Sequence, residues 1–362
     1  MMKKRMIWCL TLCVLLFSVV PAFGAETDLP DAVPEQAEEV LGDLPSEGLT
    51  FSSLQEGLSR LWETFCQSLF STLQDNIGSA ILLLSVIVLC GVADDCFQAA
   101  GNWHIANYVP MVGALVITLI AAGSFHSLLR LGRQTIEELD VFAKALLPTL
   151  AAAVAASGGI VSAGAKQVAT VFFAELVISL IREFLIPLVC LYVGLVAVDA
   201  MLPQSHLKKI GDMMKKTISW ILIASLVLFT GYLTVTGAVA GSADALSVRL
   251  TKSAISAAVP VVGSIISEAT DSVVAGAGLL KNSIGVFGLL VVLGTCLMPF
   301  LELAVQYLLY KVTSFLAGMI GTPSLVELID ALGSAFGLVL GMAGSCALLL
   351  LISIISSVSV VV

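Results

Sequence analysis

Five stretches of this sequence are almost free of charge and rich in Leu, Val, Ile and Ala: Ile77 to Ala93, Tyr108 to Leu129, Ile218 to Ala240, Ile284 to Leu309 and Leu332 to Val361. A helix needs about 20 mostly apolar residues to cross the hydrocarbon of a bilayer. In that medium each backbone N–H and C=O must be satisfied within the segment itself, so continuous apolar runs of this length are read as membrane-spanning helices. Composition points the same way. Of 362 residues 58% are hydrophobic and 12% charged, with a mean hydropathy of +1.04, whereas a soluble chain carries about 25% charge. A soluble enzyme is excluded, and the net charge of −9 argues against nucleic-acid binding.

Three further pieces are shorter or interrupted: Val141 to Ser157, rich in Ala, Val168 to Ile181, which holds Glu175, and Phe184 to Leu202, which holds Pro187. Counting them predicts an all-α polytopic membrane protein of about eight transmembrane helices after a cleaved signal peptide. Ala254 to Ser267 is apolar but short and contains Pro260, and is read as a re-entrant or interfacial piece.

Four divisions follow. Residues 1–24 read as a signal peptide, because Lys3, Lys4 and Arg5 precede an apolar run and Ala22 and Gly24 place small residues at a cleavage site, with an uncleaved first anchor as the rival reading. Residues 25–53 form an acidic, Pro- and Gly-bearing segment expected to be flexible and extracytoplasmic. From Glu26 to Asp75 there are eleven acids and one base, a balance of 1 − 11 = −10. Residues 54–76 carry Leu54, Leu58, Leu61, Trp62, Phe65, Leu69, Phe70 and Leu73 at helical spacing. They predict an amphipathic juxtamembrane helix, docking on a partner or interface or packed on its own bundle. Residues 77–362 form the polytopic membrane domain.

Lys208, Lys209, Lys215 and Lys216 make the strongest positively charged loop and assign it to the cytosol. With eight spans starting outside, Lys166 and Lys311 fall on that same side, while Arg130, Arg133, Arg182, Arg249, Lys252 and Lys281 fall opposite. A spacing of 112 residues links Tyr108, Trp220 and Leu332, and also Pro148 with Pro260 and Pro187 with Pro299. Duplicated halves with broken helices are a transporter pattern, so an internal repeat stands beside coincidence as an explanation.

An ionised side chain inside an apolar segment costs about 2.5 to 3.5 kcal/mol on insertion scales unless paired or wetted. Lys144, Glu175, Asp199 and Glu302 are therefore the intramembrane polar candidates. Pro148, Pro187, Pro260 and Pro299 are candidate helix breaks, since proline lacks the N–H that continues the ladder. Glu302 leads, three residues after Pro299. Glu175 and Arg182, two turns apart, form a structural alternative as an internal ion pair. Gly237-x-x-x-Gly241, Gly337-x-x-x-Gly341 and Gly158-Gly159 offer close helix packing, within the chain or between chains. His104, His126 and His206 lie far apart, and no phosphate loop, H-E-x-x-H, G-x-S-x-G or C-x-x-C occurs. No catalytic residue, cofactor or metal is expected.

The stretch Gly237 to Leu290, GAVAGSADALSVRLTKSAISAAVPVVGSIISEATDSVVAGAGLLKNSIGVFGLL, resembles the most distinctive part of the stage III sporulation protein AE family of endospore-forming Firmicutes. The remainder is similar in outline. That resemblance implies a non-enzymatic, permease-like component of the channel complex joining mother cell and forespore, in the outer forespore membrane. Its implied partners are the other proteins of the same operon, including ring-forming subunits, and the forespore channel protein. An independent ion-coupled secondary transporter and a passive membrane scaffold are the alternatives.

Overall fold

A computed structural model of the chain describes residues 51–100, 108–157, 160–202, 207–258, 263–319 and 322–358. The signal peptide, the acidic segment up to residue 50 and Pro260 lie outside the described residues. So do His104, His206 and Gly158-Gly159, and the side chains flanking Gly237-x-x-x-Gly241. What is described is helical throughout: α1 (Phe51–Ala99), α2 (Val109–Ala156), α3 (Ile160–Leu180), a π-helical turn (Ile181–Leu185), α4 (Ile186–Met201), α5 (Lys208–Ala258), α6 (Gly263–Ala317) and α7 (Pro323–Val358). Six units are long and apolar enough to cross a membrane: α1, α2, the continuous α3–π–α4 unit, α5, α6 and α7.

Six in place of eight is a correction, and its cause is local. Tyr108 to Leu129 and Val141 to Ser157 share α2, a single helix of 48 residues. At 1.5 Å per residue it runs about 72 Å without the reversal that two spans would require. The charged stretch between them contains no proline, and Gln134 Nε2 donates to Glu138 (2.9 Å) while Lys144 Nζ donates to Asp140 (2.7 Å). Pairs four residues apart support a helix, so the charges continue α2 where a loop was expected. Val168 to Ile181 and Phe184 to Leu202 are likewise joined through the π turn. The amphipathic stretch 54–76 runs without interruption into the apolar run after it, both within α1.

Consecutive units run antiparallel. At one end of the bundle, Lys208 of α5, Lys311 of α6 and the first turns of α7 come together, with Gly113 of α2 against Leu325. At the other end, Lys166 of α3 donates to the Ser356 carbonyl, and Gly288 of α6 lies against Leu146 of α2 and Ile354 of α7. Lys166 therefore sits at the end opposite Lys208 and Lys311, which corrects the grouping of these lysines on one side.

The centre is α6 packed on α7: 72% and 61% of their apolar spans are buried, against 17% for α1 and 28% for α5. Apolar side chains are the interior, with Phe336 edge-on to both Phe125 and Tyr310. On the periphery, Trp220, Ile223, Val227, Leu228 and Val235 form an exposed stripe along α5, the surface a helix presents to lipid. Gly333, Gly337 and Gly341 follow each other at every fourth residue of α7. The first two meet Tyr310 and Tyr307 of α6 and the third meets Leu222 of α5, so this small-residue ridge serves packing within one chain. Helix starts at Val109, Lys208 and Pro323 do not keep a 112-residue spacing, so the possible repeat has no counterpart in the element boundaries.

Candidate functional site

Three polar clusters link helices that are otherwise held by apolar contact. The first joins Lys144 of α2 to Glu175 of α3, at 2.9 Å, with Asp140 also on the ammonium. Beside it Arg182, in the π turn, reaches Glu137 at 3.4 Å. The structure thus brings together two of the four intramembrane candidates. It also reassigns the partners: Glu175 and Arg182 are each paired with α2, and not with one another. All four paired side chains in Lys144–Glu175 and Arg182–Glu137 are exposed, so each pair contributes at most about 1 kcal/mol.

The second cluster lies at the end of the bundle that gathers α5, α6 and α7. Lys311 Nζ donates to Asp330 Oδ1 (2.6 Å) and Ser334 Oγ (3.0 Å), while Lys215 Nζ donates to the same Oγ (2.8 Å). Ser334 in turn donates to the Asp330 carbonyl at 3.0 Å. Lys208 pairs with Glu327 at 2.6 Å, and the Tyr192 hydroxyl donates to the Ala331 carbonyl at 3.3 Å. Sequence reasoning used Lys208 and Lys215 only for orientation. The spacing of Glu327 and Asp330, acids in the first turns of an apolar helix, was the available signal for a partner.

The third cluster is at the opposite end, where Thr170 and Ser353 share a hydrogen bond of 2.6 Å and the buried Lys166 donates to the Ser356 carbonyl at 2.5 Å. A cavity of about 10 Å³ lies beside it, lined in part by Lys166, Gln167, Ser353 and Ser357. A second cavity of the same size lies between Asp140, Ala174 and Cys346. Each has room for about one water.

Glu302 is exposed on α6, and among the described residues it makes no ion pair. One turn on, Gln306 donates to Asn76 of α1 at 2.5 Å. Asp199 is half-buried in the last turn of α4. Pro148 and Pro299 lie inside α2 and α6, which continue through them. Their missing N–H groups leave the carbonyls of Lys144 and Thr295 without the usual helical donor. Pro187 follows the π turn inside the continuous α3–π–α4 unit, so its missing N–H likewise removes one helical donor there. No group of metal-ligating side chains occurs among the described residues, and the six described cysteines are free.

A family model described as stage III sporulation protein AE matches residues 44–360. The stage III sporulation protein AE of Bacillus subtilis (strain 168) is 25% identical over 309 residues, covering 85% of this chain and 76% of that protein. No solved structure matches. With nearly the whole membrane body inside the family's match, this chain belongs to the stage III sporulation protein AE family.

Proposed function

We propose that the chain is a non-enzymatic, permease-like membrane component of the channel or secretion complex between mother cell and forespore, seated in the outer forespore membrane. The family supplies the link to sporulation, and six helices able to span a bilayer supply the membrane body. The observation that favours a component over an independent carrier is the close apolar packing at the centre of the bundle. α6 and α7 cross with Gly333 and Gly337 against Tyr310 and Tyr307, and Phe336 packs edge-on to Phe125 and Tyr310, so side chains fill the crossing where a carrier would hold its solute. A passage of any width would then be built between subunits, with the other proteins of the operon and the forespore channel protein as partners. Under this reading the signal peptide is cleaved, the acidic segment lies outside the cytosol, and the end bearing Lys208 to Lys216 faces the cytosol.

Purification of the tagged chain from sporulating cells tests the proposal. Stoichiometric recovery of operon-encoded partners is expected. A chain recovered alone that moves a solute into vesicles by itself would establish the independent transporter.

A further inference from the structure

The depth of α2 in the bilayer follows from its neighbours. Gly132 of α2 meets Val339 of α7, Gly341 further along α7 meets Leu222 of α5, and Leu146 of α2 meets Gly288 of α6. Residues 132–146 of α2 are therefore level with the part of α5 that begins at Leu222 and with the apolar span of α6. At that depth α5 exposes Ile223, Val227, Leu228 and Val235. α3, held to Lys144 through Glu175, exposes Val168, Val171, Phe172 and Leu176. Both are dressed for hydrocarbon. The outward face of α2 is not. From Arg130 to Lys144 its exposed residues are Arg130, Arg133, Gln134, Glu137, Val141 and Lys144, and this polar stripe rises about 21 Å, most of the roughly 30 Å hydrocarbon layer. α1 packs on α2 where Cys90 meets Gly113, and it carries a second such stripe. Gly57 against Leu290 and Asn76 bonded to Gln306 set its depth, and between them Glu63, Gln67, Ser71 and Gln74 are exposed.

Three media can meet a face at this depth: lipid, another helix or water. Lipid expels ionised side chains. Glu137 and Lys144 are paired with α3, but Arg130 and Arg133 make no ion pair among the described residues. Dry contact with another helix uses small side chains, as α7 does at Gly333 and Gly337, whereas every exposed residue of this stripe except Val141 is long and polar. A charge buried in such a contact without a partner is also strongly disfavoured. Water fits where the other two do not. We propose that the face of α2 from Arg130 to Lys144 lines a water-filled passage through the bilayer, screened from lipid by neighbouring subunits. The inference rests on the reading of the chain as a component of an assembly, and it names the surface that the chain turns toward the passage.

Two valines make a matched pair for the test: Val141 on α2 and Val227 on α5 lie at similar depth and are 62% and 64% exposed. V141C and V227C, each in the full chain, are treated with a charged, water-soluble thiol reagent in broken membranes of sporulating cells. Mass spectrometry follows modification at the introduced residue, so the native cysteines do not interfere. Only a thiolate reacts, and V141C should react about a hundredfold faster than V227C, the factor set by the cost of placing one charge in hydrocarbon. Q134C should follow V141C, and I223C should follow V227C; this second pair carries the comparison if a valine variant fails to reach the membrane. Equally slow reaction of V141C and V227C, in membranes from which partners are recovered with the tagged chain, would overturn the lining and leave the assembly standing. Equally fast reaction would overturn it as well, by removing hydrocarbon from α5. Slow reaction of V141C in the assembly but fast reaction in the purified chain would put a dry subunit contact on α2 in place of the passage. Recovery of the chain without partners would instead overturn the reading on which the inference rests.

Discussion

Replacing Gly333 by alanine sets two effects of opposite sign against each other. A methyl group there would meet the Cβ of Tyr310 at 2.9 Å, with Lys311 N and Tyr307 O both at 3.7 Å. Carbon atoms rest at about 3.5 to 4.0 Å, so α6 and α7 would have to part by roughly 1 Å. The obstructing atom is the stem of a fully buried tyrosine and not the end of a flexible side chain, so it cannot swing aside. Overpacking of this kind costs about 1 to 3 kcal/mol, whereas alanine in place of glycine favours the helix by about 1 kcal/mol. The net expectation for Gly333→Ala is a loss of up to about 2 kcal/mol. Gly78 on α1 isolates the second effect, because nothing lies within 4 Å of an added methyl. Gly78→Ala should therefore stabilise by up to about 1 kcal/mol. Thermal unfolding of the purified variants in detergent reads both. Alanine at both glycines raising the midpoint, Gly333→Ala as much as Gly78→Ala, would refute the close crossing of α6 and α7.

The remaining predictions concern topology and the polar clusters. A reporter active only outside the cytosol should be active when fused near Thr50 and near Gly158 and silent near Gly211. Silence at Gly158 would restore a second crossing within residues 109–157. Ser334→Ala removes the acceptor that Lys215 and Lys311 share in a buried setting, and should cost about 1 to 3 kcal/mol in the same unfolding assay. An unchanged midpoint would show that the lysines are satisfied without it. Glu302→Gln and Glu175→Gln should leave the amount of protein in the membrane near wild type, since both positions are exposed and Lys144 keeps Asp140. Wild-type spore formation in both variants would defeat a charged pathway and favour the scaffold.

Much of the fold was legible because apolar length alone identifies a span: each of the five firm stretches falls wholly or almost wholly within one long helix. The reading failed where charge was taken as a sign of a loop. Arg130 to Lys144 keeps helical pairing of its own, Gln134 with Glu138 and Asp140 with Lys144, and the absence of a glycine pair or proline between Arg133 and Lys144 was a readable signal for continuity. The pairing of Glu175 was not readable, because helical spacing nominates Arg182 while the choice of Lys144 depends on how α2 packs on α3. The hub at Ser334 was hidden for the same reason, since a serine in an apolar helix reveals nothing of the two lysines that other helices deliver to it.

The π turn at Ile181–Leu185 acts as a slack link in the helix. Such a turn holds one residue more than an α-helix would use over the same rise, and each residue is worth 100° of rotation. Upstream, Val177, Ile178 and Ile181 face the interior; downstream, Leu185, Ile186, Val189 and Tyr192 do so. The interval from Ile181 to Leu185 to Val189 advances by four at each step, so the buried face is carried across the join without slipping around the helix axis. Removing one residue there would wind the segment into ordinary α-helix over the same rise and leave Ile186 to Met201 facing as before. Tyr192 would keep its place against the Ala331 carbonyl. A stretch of five residues thus absorbs one residue of chain, which makes a single-residue deletion inside it far milder than the same deletion elsewhere in α3 or α4, where all that follows would rotate by about 100°.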